Sequence, residues 1–347
     1  MVMDMKNVLI LNQAHTSNLG DVAIGMSLEN WVRENGWNPI TMPFWDEASV
    51  FWNISYSTLS AVIKSLPLTA DIVVGSWVKN TINNVLHKDR IDCAICGGGE
   101  LFCSHRGFNA VFSCWVNELQ KQGIPCCVLG VSGDENLNGA QIKRNRHALE
   151  KCFLVGVRDG HSKEVFRKLY GIEAKLTPDS VFLLGEKAKL DTAREKTICV
   201  PVPAITLLEG STETEADFYH RVIEDNRRSS DHVILTTTEL RDEEYTLKLR
   251  EQINQKYGTD YQYVAYSGFE GFCSLLDEAH TVISGRMHAM IMGLLYGCGI
   301  KSITFKPKLK SFEEEYGRCT EINEVVNRTR EGYKKYAEML TNVMETA

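Results

Sequence analysis

No apolar run in the chain reaches the ~18–20 residues that a membrane-spanning helix needs. The longest, 289–300, is too short and is interrupted by glycines. The opening residues, Met1-Val2-Met3-Asp4-Met5-Lys6-Asn7, lack a signal-peptide pattern and run straight into the apolar Val8-Leu9-Ile10-Leu11. The expectation is a cytoplasmic protein, with contact at the inner face of a membrane left open. A basic excess is missing as well. The net charge is −7, whereas a nucleic-acid partner calls for cations to neutralise phosphates, so none is expected. Tandem repeats and low-complexity tracts are absent. The pair Cys93-x-x-Cys96 has no second ligand pair at zinc spacing. A redox pair belongs at a helix start, and 91–96 reads as a strand. The 11 cysteines are odd in number and scattered, and read mainly as small core residues.

What is present is ordinary for a globular protein. The 347 residues, 44% hydrophobic and 24% charged, suffice for two domains with separate cores. Strand-like and helix-like segments alternate. Strands read at 8–12, 39–42, 70–75, 91–96, 126–130 and 153–157, with helices at 20–35, 108–122 and 140–151. The charged segment 185–196 lacks apolar periodicity and reads as a domain boundary. Beyond it, strands read at 198–202, 232–236, 261–265, 281–284 and 300–305. Helices read at 213–228, 243–257, 269–278, 287–296 and 323–343. Such alternation implies parallel sheets covered on both faces. Two successive units of this kind imply a cleft, and ligands of open α/β sheets bind beyond the carboxyl ends of the strands. The aromatic stretch from Phe44-Trp45 to Phe51-Trp52 reads either as a flap or lipid-facing surface, or as core packing.

The strand ends hold the candidates. After the first strand comes Asn18-Leu19-Gly20-Asp21, where a helix begins. Asp21 reads as a helix cap, or, with Asn18, as a contact to a polar substrate. The strand 91–96 ends in Gly97-Gly98-Gly99-Glu100. Glycines there let the backbone approach a ligand or take positive φ; a tight turn with close packing is the other reading. The run matches neither phosphate-binding glycine fingerprint. Arg158 follows the buried run 153–157, which places it at a strand's carboxyl end; paired with Asp159 on a surface it would contribute little. The strongest local signal is Ser284-Gly285-Arg286-Met287-His288, turning from strand 281–284 into an apolar helix. A helix start has unpaired N–H groups and a positive dipole end, which suits an anion. Arg286 and His288 strengthen that reading. Lys306, Lys308 and Lys310 add either positive potential or a solvated loop.

Taken together, Asn18-x-Gly20-Asp21, Gly97-Gly98-Gly99, Val157-Arg158-Asp159 with Ser162, Pro178-Asp179-Ser180, Ser284-x-Arg286-Met287-His288 and the lysine-bearing segment before Phe312 resemble the polysaccharide pyruvyl transferase family. The pieces stand in the family's order from about Lys6 to Phe312. The chain departs from the usual pattern at Gly285 and at Lys306-Pro307-Lys308.

The resemblance implies an α/β protein of two Rossmann-like domains facing a cleft, a GT-B-like arrangement. Residues 1–185 form the acceptor side, 196–319 the donor side and 320–347 a C-terminal helix. It implies phosphoenolpyruvate as donor and a sugar of a surface polysaccharide, or its lipid-linked precursor, as acceptor. The product is a pyruvate ketal, and no cofactor or metal is implied. Arg158 and Arg286 would clamp the donor's anionic groups. His288 would donate a proton to the methylene carbon or to the leaving phosphate. Asn18, Gly20, Asp21, Gly98, Gly99, Glu100, Ser284 and Lys308 would contact substrate, with Asp21 or Glu100 as base. Three rivals stay open: a nucleotide-sugar glycosyltransferase with Glu270 on the ribose, an inactive binding relative, and a redox protein built on Cys93 and Cys96. Oligomeric state is not legible.

Overall fold

The structure, a computed structural model, describes residues 5–46, 67–104, 106–188, 193–204, 208–303, 307–317 and 321–346, with the backbone alone at 67–71, 106, 307, 308 and 311. The chain divides into two compact units. The first comprises Met1–Gln13, Ile24–Ser180 and Thr329–Ala347; the second comprises Ala14–Ala23 and Val181–Arg328. This differs from the contiguous division 1–185, 196–319 and 320–347. The segment following the first strand joins the second unit, and most of the C-terminal helix joins the first.

The first unit holds a six-stranded, all-parallel sheet in the order β2-β1-β3-β4-β5-β6. Its strands are β1 (Asn7–Asn12), β2 (Asn38–Pro43), β3 (Cys93–Phe102), β4 (Cys126–Gly133), β5 (Val155–Val157) and the short β6 (Lys175–Leu176). Strands β1, β3, β4 and β5 are almost wholly buried, as expected of parallel strands covered on both faces. The crossovers are α1 (Leu19–Glu34), α2 (Pro67–Leu86), α3 (Arg106–Lys121), α4 (Gly139–Leu149) and α5 (Gly160–Val165).

Two expectations need correction here. Residues 70–75 are not a strand but part of α2. Val74, Val78, Ile82 and Val85 are buried at helical spacing, while Ile72 is 69% exposed, so the apolar stripe follows the 3.6-residue period. The run Gly97-Gly98-Gly99 is not a turn after β3 but lies inside it. Gly98 and Gly99 have φ of 75° and 85°, and pairing with β4 shifts register between Gly99 and Phe102.

The second unit holds a five-stranded parallel sheet, β11-β10-β7-β8-β9. These are β7 (Lys196–Val200), β8 (His232–Leu235), β9 (Gln262–Tyr263), β10 (Ala279–Ser284) and β11 (Gly299–Ser302). Helices α6 (Glu215–Asn226), α7 (Glu243–Tyr257), α8 (Gly268–Asp277) and α9 (Met287–Leu295) connect them. Helices α10 (Pro307–Tyr316) and α11 (Ile322–Thr346) follow. The segment expected as a lysine-rich loop is thus helical from Pro307, a residue suited to a helix's first position.

Both sheets are parallel, as the alternation implies, and have the Rossmann-like winding that the family resemblance implies. In each, the strand order reverses beside the first strand: β1 lies between β2 and β3, and β7 between β8 and β10. Open α/β sheets bind ligands at the carboxyl ends on either side of such a reversal. In the second unit those ends are Val200 and Ser284.

Candidate active site

The second unit gathers most of the expected site. Ser284 closes β10, and its Oγ accepts a hydrogen bond from the Arg286 backbone N–H at 2.8 Å. That bond shapes the turn into α9. Arg286 is the residue preceding the helix and gives it no side-chain cap, so the first-turn N–H groups of α9 are not closed off by that side chain. His288 lies in that first turn.

Against His288 packs Gly20. A Cβ at position 20 would fall 2.4 Å from His288 Nδ1 and 2.8 Å from Cγ, distances no real Cβ takes. Gly20 therefore owes its identity to close approach, not to its backbone angles. Around it, Asn18 Oδ1 accepts from the Gly20 N–H at 2.9 Å, and the Asn18 carbonyl accepts from Val22 N at 3.1 Å. Asn18 is thus the cap of α1, the role considered for Asp21. Asp21 sits in the first helical turn, its Oδ2 3.4 Å from Thr16 Oγ1.

The loop after β8 ties these pieces together. The Thr238 carbonyl accepts from Leu19 N at 2.9 Å. One residue on, Glu239 Oε2 lies 3.0 Å from Arg286 Nη2, and Asp242 Oδ2 accepts a hydrogen bond from the same nitrogen. Arg241 Nε meets the other oxygen of Glu239 at 2.7 Å. Neither Glu239 nor Asp242 was foreseen. The signal for them was weak: a polar run, Thr236-Thr237-Thr238-Glu239, at the carboxyl end of a strand neighbouring the reversal.

The remaining expected residues lie elsewhere. Arg158 follows β5 in the first unit, with a side chain only 3% exposed. Its Nη1 donates to Asp179 Oδ2 at 2.9 Å and its Nη2 to Ser132 Oγ at 2.8 Å. Asp159, considered as its surface partner, is 4.0 Å away and instead caps α5 through Ser162 N. The space above Gly98 is filled by Ile24 of α1, whose Cγ2 lies 2.0 Å from where a Cβ would stand, and Leu28 does the same above Gly97. Close packing, the second of the two readings of this run, describes Gly97 and Gly98. Gly99 is buried, and Glu100 is partly buried within β3. The side chain of Lys308 and all of Lys306 lie outside the described residues, as does Phe51-Trp52. Lys310 is exposed near Glu314, while Phe44 and Trp45 are buried.

Two further glycines, Gly130 within β4 and Gly156 within β5, seat the C-terminal helix. Cβ atoms at Gly130 and Gly156 would lie 2.9 Å and 2.8 Å from the hydroxyls of Tyr333 and Tyr336. Burial pushes the Tyr333 phenol well above its ordinary pKa. Cys93 and Cys96 are buried three positions apart in β3, an odd spacing that sends them to opposite sheet faces. Burial raises the Cys96 thiol pKa well above the usual value, the opposite of an activated thiol. Among the described residues, no three His, Cys, Asp or Glu side chains are grouped to hold a metal ion, and no helix is long and apolar enough to cross a membrane.

Over residues 18–299 the chain matches the polysaccharide pyruvyl transferase family. No curated protein matches it. Among solved structures it is similar to the UDP-GlcNAc 2-epimerase of Neisseria meningitidis bound to UDP-GlcNAc, with a TM-score of 0.53 and 10% identity, covering 98% of this chain and 94% of that one. The UDP-GlcNAc 2-epimerase of Methanocaldococcus jannaschii gives 0.56 at 11% identity, covering 94% and 92%. A trehalose-6-phosphate synthase gives 0.52 at 10%, covering 98% and 97%. At such identity these likenesses concern the fold alone. The family match spans most of the chain, and the chain belongs to the polysaccharide pyruvyl transferase family.

Proposed function

We propose that this member of the polysaccharide pyruvyl transferase family takes phosphoenolpyruvate as donor. The acceptor is a sugar of a surface polysaccharide or of its lipid-linked precursor, met at the cytoplasmic side of the membrane. The observation that carries this reading is the contact of Gly20 with His288, beside Arg286. It joins two distant pieces of the family's pattern at the carboxyl end of β10, next to a helix start suited to an anion.

The reaction needs a proton on the donor's methylene carbon, which leaves an oxocarbenium-like centre at the carbon bearing the phosphate. One sugar hydroxyl attacks that centre, phosphate departs, and a second hydroxyl closes the ketal. Two hydroxyl protons are released; one balances the proton added to carbon and the other goes to the phosphate. His288 is assigned the proton transfer, since an imidazole can both give and take a proton near neutral pH. Arg286 and the first-turn N–H groups of α9 hold the donor's anionic groups. Of the two carboxylates considered as base, Asp21 belongs to the same unit as His288 and adjoins Gly20, and it is assigned that role. Arg158, gripped by Asp179 and Ser132, is assigned to ordering the strand ends of the first unit rather than to clamping the donor.

The test is phosphate release from phosphoenolpyruvate with a panel of lipid-linked and synthetic glycosides. The His288→Ala protein should be slower by about 10²–10⁴-fold, the usual worth of a positioned acid or base. Equal rates in the two proteins would reject the assignment of His288. Thermal stabilisation by nucleotide sugars but not by phosphoenolpyruvate would favour the glycosyltransferase reading instead.

A further inference from the structure

Arg286 is not a bare cation. Both of its ion-pair contacts converge on one nitrogen, Nη2, which Glu239 Oε2 approaches at 3.0 Å and Asp242 Oδ2 accepts from. Its Nε is buried without a hydrogen-bond partner, and its Nη1 has no partner among the described residues. The two carboxylates are themselves fixed. Thr237 Oγ1 accepts from Glu239 N at 3.2 Å, Arg241 Nε holds the outer oxygen of Glu239, and the Asp242 carbonyl accepts from Thr246 Oγ1 at 2.9 Å at the start of α7.

We propose that Glu239 and Asp242 are positioning residues for Arg286. They pin the guanidinium by Nη2 and leave its Nη1 edge for an anionic group of the donor. This rests on the donor reading above. Arginine has a large rotamer entropy to lose on binding an anion. A side chain already held in place has less to lose, so pre-ordering raises affinity. The same loop fixes the partner contact, because the Thr238 carbonyl holds Leu19 N, one residue before the glycine that meets His288. One loop therefore sets both the arginine and the histidine side of the site.

Electrostatics alone predicts the reverse outcome for a variant. Glu239 and Asp242 bring two negative charges to within ion-pair distance of Arg286. Removing them would, by Coulomb's law, strengthen the binding of any anion. A loss of affinity is thus a result that positioning produces and simple charge does not.

The experiment measures binding of phosphoenolpyruvate and, separately, of inorganic phosphate by calorimetry. The proteins are the wild type, Arg286→Ala, Glu239→Gln, Asp242→Asn and the double carboxylate variant, each checked for an unchanged melting transition. Phosphoenolpyruvate binding should weaken roughly two- to tenfold in each single carboxylate variant, the cost of immobilising one long side chain. The Michaelis constant for the donor should rise by a similar factor with little change in turnover. If Arg286→Ala weakens binding while the carboxylate variants bind as tightly as wild type or tighter, the positioning role is overturned and the donor reading stands. If Arg286→Ala leaves binding unchanged, the donor reading and the positioning role fall together. Should the double variant not fold, the single variants decide, since Gln and Asn keep the size and an acceptor oxygen.

Discussion

Gly20 and His288 touch across a gap that leaves no room for a side chain: Nδ1 of the imidazole is 2.4 Å from the point where a Cβ would begin. A Gly20→Ala protein must move the ring. His288 is only partly buried, so the ring has somewhere to go, and the strain is relieved by displacement more than by unfolding. The stability cost should stay at the lower end of the ~1–3 kcal/mol of an overpacked contact. The rate is another matter, because a displacement of about 1 Å in a catalytic group costs on the order of 10²-fold. Phosphate release should fall by that order while the urea midpoint drops only by what about 1 kcal/mol accounts for. A protein with wild-type turnover would show that the histidine does not act from this position.

The second unit carries its own pH dependence through His280. This residue stands near the start of β10, its Nδ1 3.0 Å from Thr281 Oγ1. Burial lowers its pKa below the ordinary value, and the Arg228 and Arg194 guanidinium groups add to that effect; Asp231 opposes it. The unfolded chain therefore binds this proton more readily than the folded one. Its contribution to stability is full at neutral pH and is lost as pH falls from about 6.5 through the depressed folded value. In His280→Gln, the unfolding midpoint should vary less with pH over that window than in the wild type. Identical pH profiles for the two proteins would contradict the assignment.

What could be read in advance from the chain follows from how local each signal is. The placement of Ser284, Arg286 and His288 at a strand end and a helix start was legible because the two elements adjoin in sequence. The two parallel sheets were legible because most strands and helices declare themselves over a few turns, whereas their Rossmann-like winding came only from the family resemblance. Glu239 and Asp242 were not legible, because their meaning comes from an arginine on another strand end. The glycines of β3 were half legible. Their number announced a tight place, but that Ile24 and Leu28 fill it is a tertiary fact. Residues 70–75 misled because a short apolar run fits a buried strand and a helix equally well. The longer stripe through Val78, Ile82 and Val85 decides it.

Arg158 and Asp179 form a buried ion pair in the first unit. Their side chains are 3% and 5% exposed and meet at 2.9 Å. A charge this deep is tolerated because it is paired and hydrogen-bonded, here also to Ser132. Removing one carboxylate leaves the Arg158 charge buried in a medium of low dielectric with less compensation, so Asp179→Ala should be destabilising by up to about 3–5 kcal/mol. Replacing both with apolar residues of similar volume, Arg158→Met with Asp179→Leu, removes that charge together with the pair and should recover much of the loss. Urea unfolding of the two single variants and the double variant measures the coupling directly. The donor's Michaelis constant should stay near the wild-type value in the double variant if Arg158 only orders the strand ends. A large rise, in a protein whose stability has been restored, would return Arg158 to the donor-binding role.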